Sequence, residues 1–154
     1  TFAERKSIMK PILKLITIVL LSASSIYAQE SLVQIRAISP TSSDSTEDMV
    51  FGSGESLQKL HVVLSPIITD SHIESAKVDA NEPTVVKITL SKDGEDTFNK
   101  GIKDMKGQRI AIVVKGTVVS APVLQATEFG RELQITGNLS EADAQELAEK
   151  LNNK

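Results

Sequence analysis

The chain has 154 residues, a formal charge of −3 from 17 Lys and Arg against 20 Asp and Glu, and no Cys. This length allows one ordinary domain, and the absence of Cys excludes disulfides, thiol catalysis and thiolate metal sites. Aromatic residues make up only 3% of the chain, which disfavours the aromatic platforms that bind sugars or single-stranded nucleic acid.

Residues 1–28 are predicted to be an N-terminal extension followed by a secretory signal peptide. A basic segment begins at Met9, an unbroken apolar run covers residues 15–21, and the small residue Ala28 offers a cleavage site. This order is typical of signal peptides. The apolar run is shorter than the roughly 18 residues that a spanning helix needs, so we expect cleavage near Ala28 rather than a membrane anchor. The mature chain is then expected in the periplasm or outside the cell, and it touches the membrane only if the signal peptide stays uncleaved.

Cleavage would leave a more acidic chain. It removes Arg5, Lys6, Lys10 and Lys14 but only one acidic residue, Glu4. A chain of this charge lacks the basic surface expected of a protein that binds nucleic acid or anionic lipid. We therefore expect neither of these partners.

Residues 29–56 are predicted to hold one short strand and a flexible linker. Residues 32–38 alternate with a period of two, which is typical of a strand. Residues 39–48 are rich in Ser, Thr and acidic side chains, so this stretch buries too little surface to offset its ordering entropy. The Gly-Ser-Gly at residues 52–54 lacks the Gly-Lys of a phosphate-binding loop and predicts a plain turn.

Residues 57–154 are predicted to form the folded domain, beginning with extended segments. Alternating apolar residues indicate strands near 60–64, at 73–78 and, most clearly, at 84–90. Pro66 interrupts the pattern after the first of them.

A helix is predicted after Ser91, its N-cap. Phe98, Ile102 and Met105 follow at positions i, i+4 and i+7 and place one apolar stripe toward the core. Gly101 interrupts this pattern and lowers helix stability by about 1 kcal/mol relative to Ala. Either the backbone packs closely at Gly101 or the helix is weak.

The next segment is predicted to be a buried strand with a tight hairpin. Residues 110–114 are apolar on both faces, which marks an interior strand of a covered sheet. Lys115 and Gly116 separate it from a second strand at 117–120, and a two-residue hairpin is the economical interpretation. Lys is strained at a positive φ angle relative to Asp or Asn, so the turn type stays open. Pro122 ends the second arm because it cannot donate to a ladder.

The last elements are a short strand at 133–136 and a second helix. Ser140 is its predicted N-cap, with Asp143 as the partner in a capping box. The stripe expected to be buried consists of Ala144, Leu147, Ala148 and Leu151. The order strand, helix, three strands, helix predicts an α+β fold, with a mixed or antiparallel sheet, two helices on one face and a ferredoxin-like arrangement.

No catalytic, cofactor-binding or metal-binding residue is predicted. The two histidines, His61 and His72, lie in no spacing that is typical of metal ligands. Asp70, Ser71 and His72 supply the residue types of a hydrolase triad, but a triad is assembled from separated positions. The Ser-Ala-Pro at 120–122 carries no acid–base chemistry and is expected only to end a strand.

Five segments resemble, in order and spacing, the head subdomain of the first periplasmic region of SecD, which belongs to the SecDF protein-export family. They are a strand running into Ser91-Lys92-Asp93-Gly94 and Phe98, the strand at 107–114, the hairpin into Val119-Ser120-Ala121-Pro122, Ile135-Thr136-Gly137, and the helix start Ser140-Glu141-Ala142. The resemblance covers residues 84–152. Because the sequence after residue 28 shows no transmembrane segment, we expect a stand-alone exported domain of this kind.

The resemblance implies a non-catalytic domain that binds unfolded polypeptide, Sec components or other envelope proteins in protein export, without a cofactor. The alternative is a periplasmic structural or regulatory module with no role in secretion, because a shared fold does not establish a shared function. A hydrolase is disfavoured because nothing in the sequence supplies a nucleophile, a base and an orienting group together.

Overall fold

The computed structural model describes residues 31–154. The predicted signal peptide, including Met9 and the cleavage site at Ala28, lies outside the described residues. The described chain forms nine strands and two α-helices, which are β1 (Val33–Ser39), β2 (Thr46–Phe51), β3 (Gln58–Val63), β4 (Ile68–Thr69), β5 (Ile73–Val78), β6 (Val86–Leu90), α1 (Lys92–Ile102), β7 (Ile110–Val114), β8 (Thr117–Ser120), β9 (Glu132–Ile135) and α2 (Glu141–Asn152). Within this part of the chain, neither helix combines the length and apolarity needed to cross a membrane.

The strands form two antiparallel sheets. The larger sheet has the order β2-β3-β1-β7-β8, with the short β4 also pairing with β1, and the smaller has the order β5-β6-β9. In the larger sheet β1 and β7 pair from Val33↔Val114 to Ala37↔Ile110. The predicted α+β class, with antiparallel strands and two helices, is confirmed. The strands divide between two sheets where the sequence pattern indicated one.

The main core lies between the two sheets and contains the apolar stripes of both helices. Val86, Ile88 and Leu90 of β6 are buried on one face, as the alternation predicts. All five residues of β7 are buried, so its prediction as an interior strand is also confirmed. The helix side chains in this core are Phe98, Ile102, Ala144, Leu147, Ala148 and Leu151.

A second, smaller core lies on the other face of the larger sheet. The sheet curls so that β2 at one end comes back against β8 at the other. The buried side chains enclosed by this curl are Leu60, Val62, Ala111, Val113 and Val118. Since β7 contributes to both cores, the curl explains why that strand is apolar on both faces.

The prediction of a flexible linker at 39–48 is wrong for its C-terminal part. β2 begins at Thr46 and pairs with β3 from Thr46↔Val63 to Phe51↔Gln58. The 52–54 stretch lies in the connection between these two strands, as expected for a turn.

Polar pairs with distant residues add to the backbone pairing that joins β2 to β3. Glu47 Oε1 lies 2.5 Å from Nη1 of the buried Arg36 on β1. Asp48 Oδ1 lies 2.7 Å from His61 Nδ1 on β3, and hydrogen bonds from Lys59 and His61 lower the pKa of Asp48. Composition within 39–48 could not show these partners, because they lie outside the stretch.

Helix α1 begins as predicted and packs closely through Gly101. The Ser91 Oγ accepts a hydrogen bond of 3.0 Å from the Gly94 N–H, which caps the helix. A Cβ atom at Gly101 would lie 2.5 Å from Cγ2 of Ile67. Close packing, rather than a weak helix, therefore explains the glycine.

The hairpin between β7 and β8 is a type I′ turn. Lys115 and Gly116 have φ angles of 49° and 76°, and positive φ at both central residues defines this turn. Lys115 Nζ lies 2.6 Å from Glu146 Oε2 on α2. Hydrogen bonds from Lys115 and then Lys150 lower the pKa of Glu146 to about 2.

Lys115→Asn is expected to stabilise the hairpin when the ion pair with Glu146 is already absent. Asn tolerates positive φ better than Lys, so in a Glu146→Gln background the substitution should gain about 0.5–1 kcal/mol and raise the melting temperature. In the wild-type background the gain should be smaller, because the exposed ion pair is lost and contributes about 0–1 kcal/mol. Thermal unfolding at pH 7 checks both values. A lower melting temperature in the Glu146→Gln background would contradict the proposed strain at Lys115.

Candidate functional site

A groove opens between β9 and residues 122–125, the segment that follows β8. Its volume is about 420 Å³, within the range of about 300–1,000 Å³ that is usual for ligand pockets. Ile110 and Ile112 of the larger sheet line it, together with Phe98 of α1 and Phe129. The groove therefore reaches from the surface to the main core.

One wall of the groove is fixed by backbone hydrogen bonds. Pro122 lies two residues after Ser120, the last residue of β8, and its carbonyl accepts a bond of 3.0 Å from the Ile110 N–H. The Leu124 N–H donates to the Gln108 carbonyl at 2.8 Å. Leu124 is buried, whereas the Val123 side chain is 44% exposed. The wall is thus ordered backbone that carries three apolar lining residues, Pro122, Val123 and Leu124.

An aromatic pair and an amide clamp hold Phe129 in the lining. The rings of Phe98 and Phe129 have centroids 5.8 Å apart and are tilted by 56°, a separation within the range in which aromatic pairs attract each other. The Asn99 side chain donates to the Phe129 carbonyl and accepts from the Phe129 N–H, both at 2.9 Å. These contacts from α1 hold the Phe129 ring in the groove, although Phe129 itself lies outside the helices and strands.

The opposite wall is the free edge of β9. Among the described strands β9 pairs only with β6, and the Leu90 N–H donates to the Arg131 carbonyl at 2.8 Å. Backbone groups of an antiparallel strand alternate in direction. Since Arg131 bonds toward β6, the N–H and C=O groups of Glu132 and Gln134 point away from β6, along the edge that lines the groove.

The residues that the sequence singled out for possible chemistry have structural contacts elsewhere. His72 ends a one-turn 3₁₀ helix, and its Nδ1 accepts a bond of 3.1 Å from the Thr69 N–H. Ser71 Oγ lies 3.4 Å from the same nitrogen. His61 is paired with Asp48 on the neighbouring strand. Between residues 31 and 154 no group of three His, Asp or Glu side chains is placed to hold a metal ion.

Another depression, of about 700 Å³, lies near the beginning and end of the described chain. Polar and charged residues line most of it, among them Asp70, Lys150 and Lys154. Lys154 Nζ donates to the carbonyls of Asp70 and Ile73, and burial lowers the pKa of Lys154. This depression has the end of the two-residue strand β4 in its lining but no aromatic side chain, so we place the candidate site at the groove beside β9.

The model of the family described as SecDF, P1 head subdomain, matches residues 47–153. The chain belongs to this family. The match to the P1 head starts within β2, which agrees with the pairing of β2 in the larger sheet.

Proteins named as the translocase subunit SecD are among the relatives of this chain. The SecD of Rickettsia felis is 31% identical over 104 residues, which are 65% of this chain and 20% of that protein. The SecD of Aquifex aeolicus is 34% identical over 86 residues, which are 54% of this chain and 17% of that protein. The chain therefore spans about a fifth of the length of the curated relatives it matches.

A solved structure shares the P1 head fold. It is described as "Structure and function of a membrane component SecDF that enhances protein export". Its TM-score is 0.57 at 21% identity, and the match covers 79% of this chain and 62% of that chain. At this identity the comparison shows the fold alone.

The groove residues of this P1 head were not predicted from the sequence. Val123, Leu124 and Phe129 are apolar residues in a stretch without periodicity, directly after Pro122. That irregular apolar stretch was the available signal. It could indicate a loop packed on the core, but not the unpaired strand on the other side of the gap.

Proposed function

We propose that this P1 head works in protein export as a non-catalytic domain that binds polypeptide in the periplasm, and that the groove beside β9 is its binding surface. One observation carries the proposal, namely that the free edge of β9 faces an apolar groove. Membership of the SecDF P1 head family supports the link to export. Sec components and other envelope proteins are further partners that the family suggests.

Strand addition is the binding mode that this geometry favours. An extended segment lying along β9 would accept and donate main-chain hydrogen bonds at Glu132 and Gln134. Such bonds are independent of sequence, which suits a domain that meets many different chains. Apolar side chains of the same segment would enter the groove against Ile110, Ile112 and Phe129, where burial contributes about 25 cal/mol per Å².

The polar residues of the groove support a role without catalysis. Gln125, Glu132 and Gln134 are the polar side chains of its lining. An amide is not an acid–base group, and a lone carboxylate has neither a nucleophile nor an orienting partner here. Strand addition also requires no cofactor.

A charge placed in the groove is expected to weaken binding of unfolded polypeptide. Val123→Asp in the full chain should raise the dissociation constant at least about tenfold, because a carboxylate would have to lose water beside apolar ligand groups. Fluorescence anisotropy with a labelled, reduced and carboxymethylated protein as the probe measures this constant. Circular dichroism establishes that the variant is folded.

Val50→Asp provides the matched control. Val50 is 59% exposed on β2 and does not line the groove, so its replacement adds the same charge elsewhere and should leave binding unchanged. Equal losses in the two variants would place the binding surface elsewhere. If the wild-type chain fails to bind the probe, a structural or regulatory module with no role in secretion becomes the better interpretation.

A further inference from the structure

The two faces of the smaller sheet differ in polarity beside the free edge of β9. On the inner face, Leu133 and Ile135 continue the row of apolar residues that β6 presents to the core. On the outer face, Gln134 lies opposite Lys87, and Glu132 lies opposite Thr89. A strand added at this edge would therefore meet an apolar surface on one side and a polar surface on the other.

We propose that the groove selects extended segments in which apolar and polar residues alternate and in which the polar positions are basic. This selectivity rests on the proposed function, because it describes which polypeptide the same groove binds.

Alternation follows from strand geometry. Successive side chains of a strand point to opposite faces of the sheet, so every second residue of the added segment enters the groove. The intervening residues extend the outer row formed by Glu132 and Gln134. A shift of one residue would place polar side chains in the apolar groove. If the apolar residues of a segment recur with a helical period, no register places all of them in the groove and all polar residues on the outer face.

The preference for basic residues follows from the charge nearest the edge. Glu132 is exposed and, among residues 31–154, has no basic side chain within ion-pair distance. Lys87 lies one strand further in, and its ammonium is paired with Asp79, a pairing that lowers the pKa of Asp79 to about 2. Glu132 also attracts the Lys87 ammonium, but more weakly than Asp79 does. One positive charge therefore faces two negative ones, and the net charge next to an added strand is negative.

Lys77 does not reverse this preference. It lies on β5, directly opposite Lys87, so two strand spacings separate it from β9 and three from an added strand. Three spacings amount to about 14 Å, which exceeds the screening length of about 8 Å at physiological salt. A basic residue beside Glu132 would be in direct cross-strand contact, where opposite charges attract.

Two pairs of labelled peptides test the proposal on the full chain by fluorescence anisotropy. The first pair has about eight residues of one composition, Val with Thr and Lys, either in strict alternation or reordered to a helical period. We expect the alternating isomer to bind at least about fivefold tighter. Equal affinities would overturn the selection for alternation.

The second pair consists of alternating peptides that carry either Lys or Glu at the polar positions. The wild-type chain should prefer the Lys peptide by up to about fivefold. Glu132→Gln should remove this preference and keep the preference for alternation, and Glu132→Lys should reverse it. Glu128→Lys makes the same charge change at an exposed position outside the groove lining and should leave the preference intact. A preference that survives in Glu132→Lys would overturn the charge argument.

The outcomes also separate this inference from the proposed function. If all four peptides and the unfolded protein bind equally well, the groove binds polypeptide without this selectivity. If neither the peptides nor the unfolded protein binds, the proposed function fails as well.

Discussion

Gly137→Ala is expected to destabilise the domain by about 3 kcal/mol or more. Gly137 has a φ angle of +133°, and an added Cβ atom would lie 2.0 Å from the carbonyl oxygen of Val119. That oxygen belongs to the backbone of β8 and accepts a hydrogen bond of 2.9 Å from the Asn138 N–H. It cannot move away without breaking this bond or disturbing the pairing of β8 with β7. Urea denaturation measures the loss.

Gly130→Ala is the matched control for this substitution. A Cβ atom at Gly130 meets nothing within 4 Å, and its φ angle is not positive. The control should therefore change stability by no more than about 0.5–1 kcal/mol, with a gain as the expected direction. If the two variants are equally stable, the close approach of Gly137 to Val119 does not hold the domain together.

The contact at Gly137 matters because it joins the two sheets. Gly137 follows β9 of the smaller sheet and packs on β8 of the larger one. The groove lies between β9 and the segment that leaves β8. Loss of this contact is therefore expected to change the shape of the proposed binding groove as well.

Elements with local signals were predictable from the sequence. Ser140 caps α2, and the Ser140 and Asp143 side chains form the predicted capping box. The four residues of its apolar stripe are all buried. The β7–β8 hairpin could likewise be predicted from the two residues at its turn alone. In each case the signal and the structure lie within one short segment.

β2 could not be predicted in the same way, because its stabilising partners are distant. Glu47 is an acidic residue in a polar stretch until the fold brings the buried Arg36 to it. The low apolar content of residues 39–48 therefore predicted a linker where the structure has the beginning of a paired strand. The division into two sheets was missed for the same reason, since strand partners are not encoded in the period of a single strand.

The groove depends on the relative placement of the two sheets, which no segment specifies alone. Glu132, Leu133 and Gln134 alternate in the same way whether their strand lies at an edge or in the centre of a sheet. What makes this edge a candidate site is the gap to Val123 and the aromatic lining from Phe129. The resemblance to the P1 head family predicted the function class without indicating this surface.

Phe98→Ala is expected to cost about 3–5 kcal/mol of folding stability. Phe98 is 2% exposed, belongs to the main core and packs against the ring of Phe129. Its removal would leave a cavity under α1 and remove the aromatic partner that orients Phe129 in the groove. Chemical denaturation of the variant measures the loss. Leu57→Ala, at a side chain that is 57% exposed, should be close to neutral.

Phe98→Leu separates the two roles of this residue. Leu refills much of the cavity, so we expect it to recover more than half of the stability lost in Phe98→Ala. Leu cannot restore the tilted aromatic contact with Phe129, and such contacts contribute about 0.5–1.5 kcal/mol. Binding of unfolded polypeptide should therefore remain weaker than in the wild type although the variant is folded. Full recovery of both stability and binding would mean that Phe98 supports the groove only by filling space, and that the orientation of Phe129 depends on the Asn99 clamp alone.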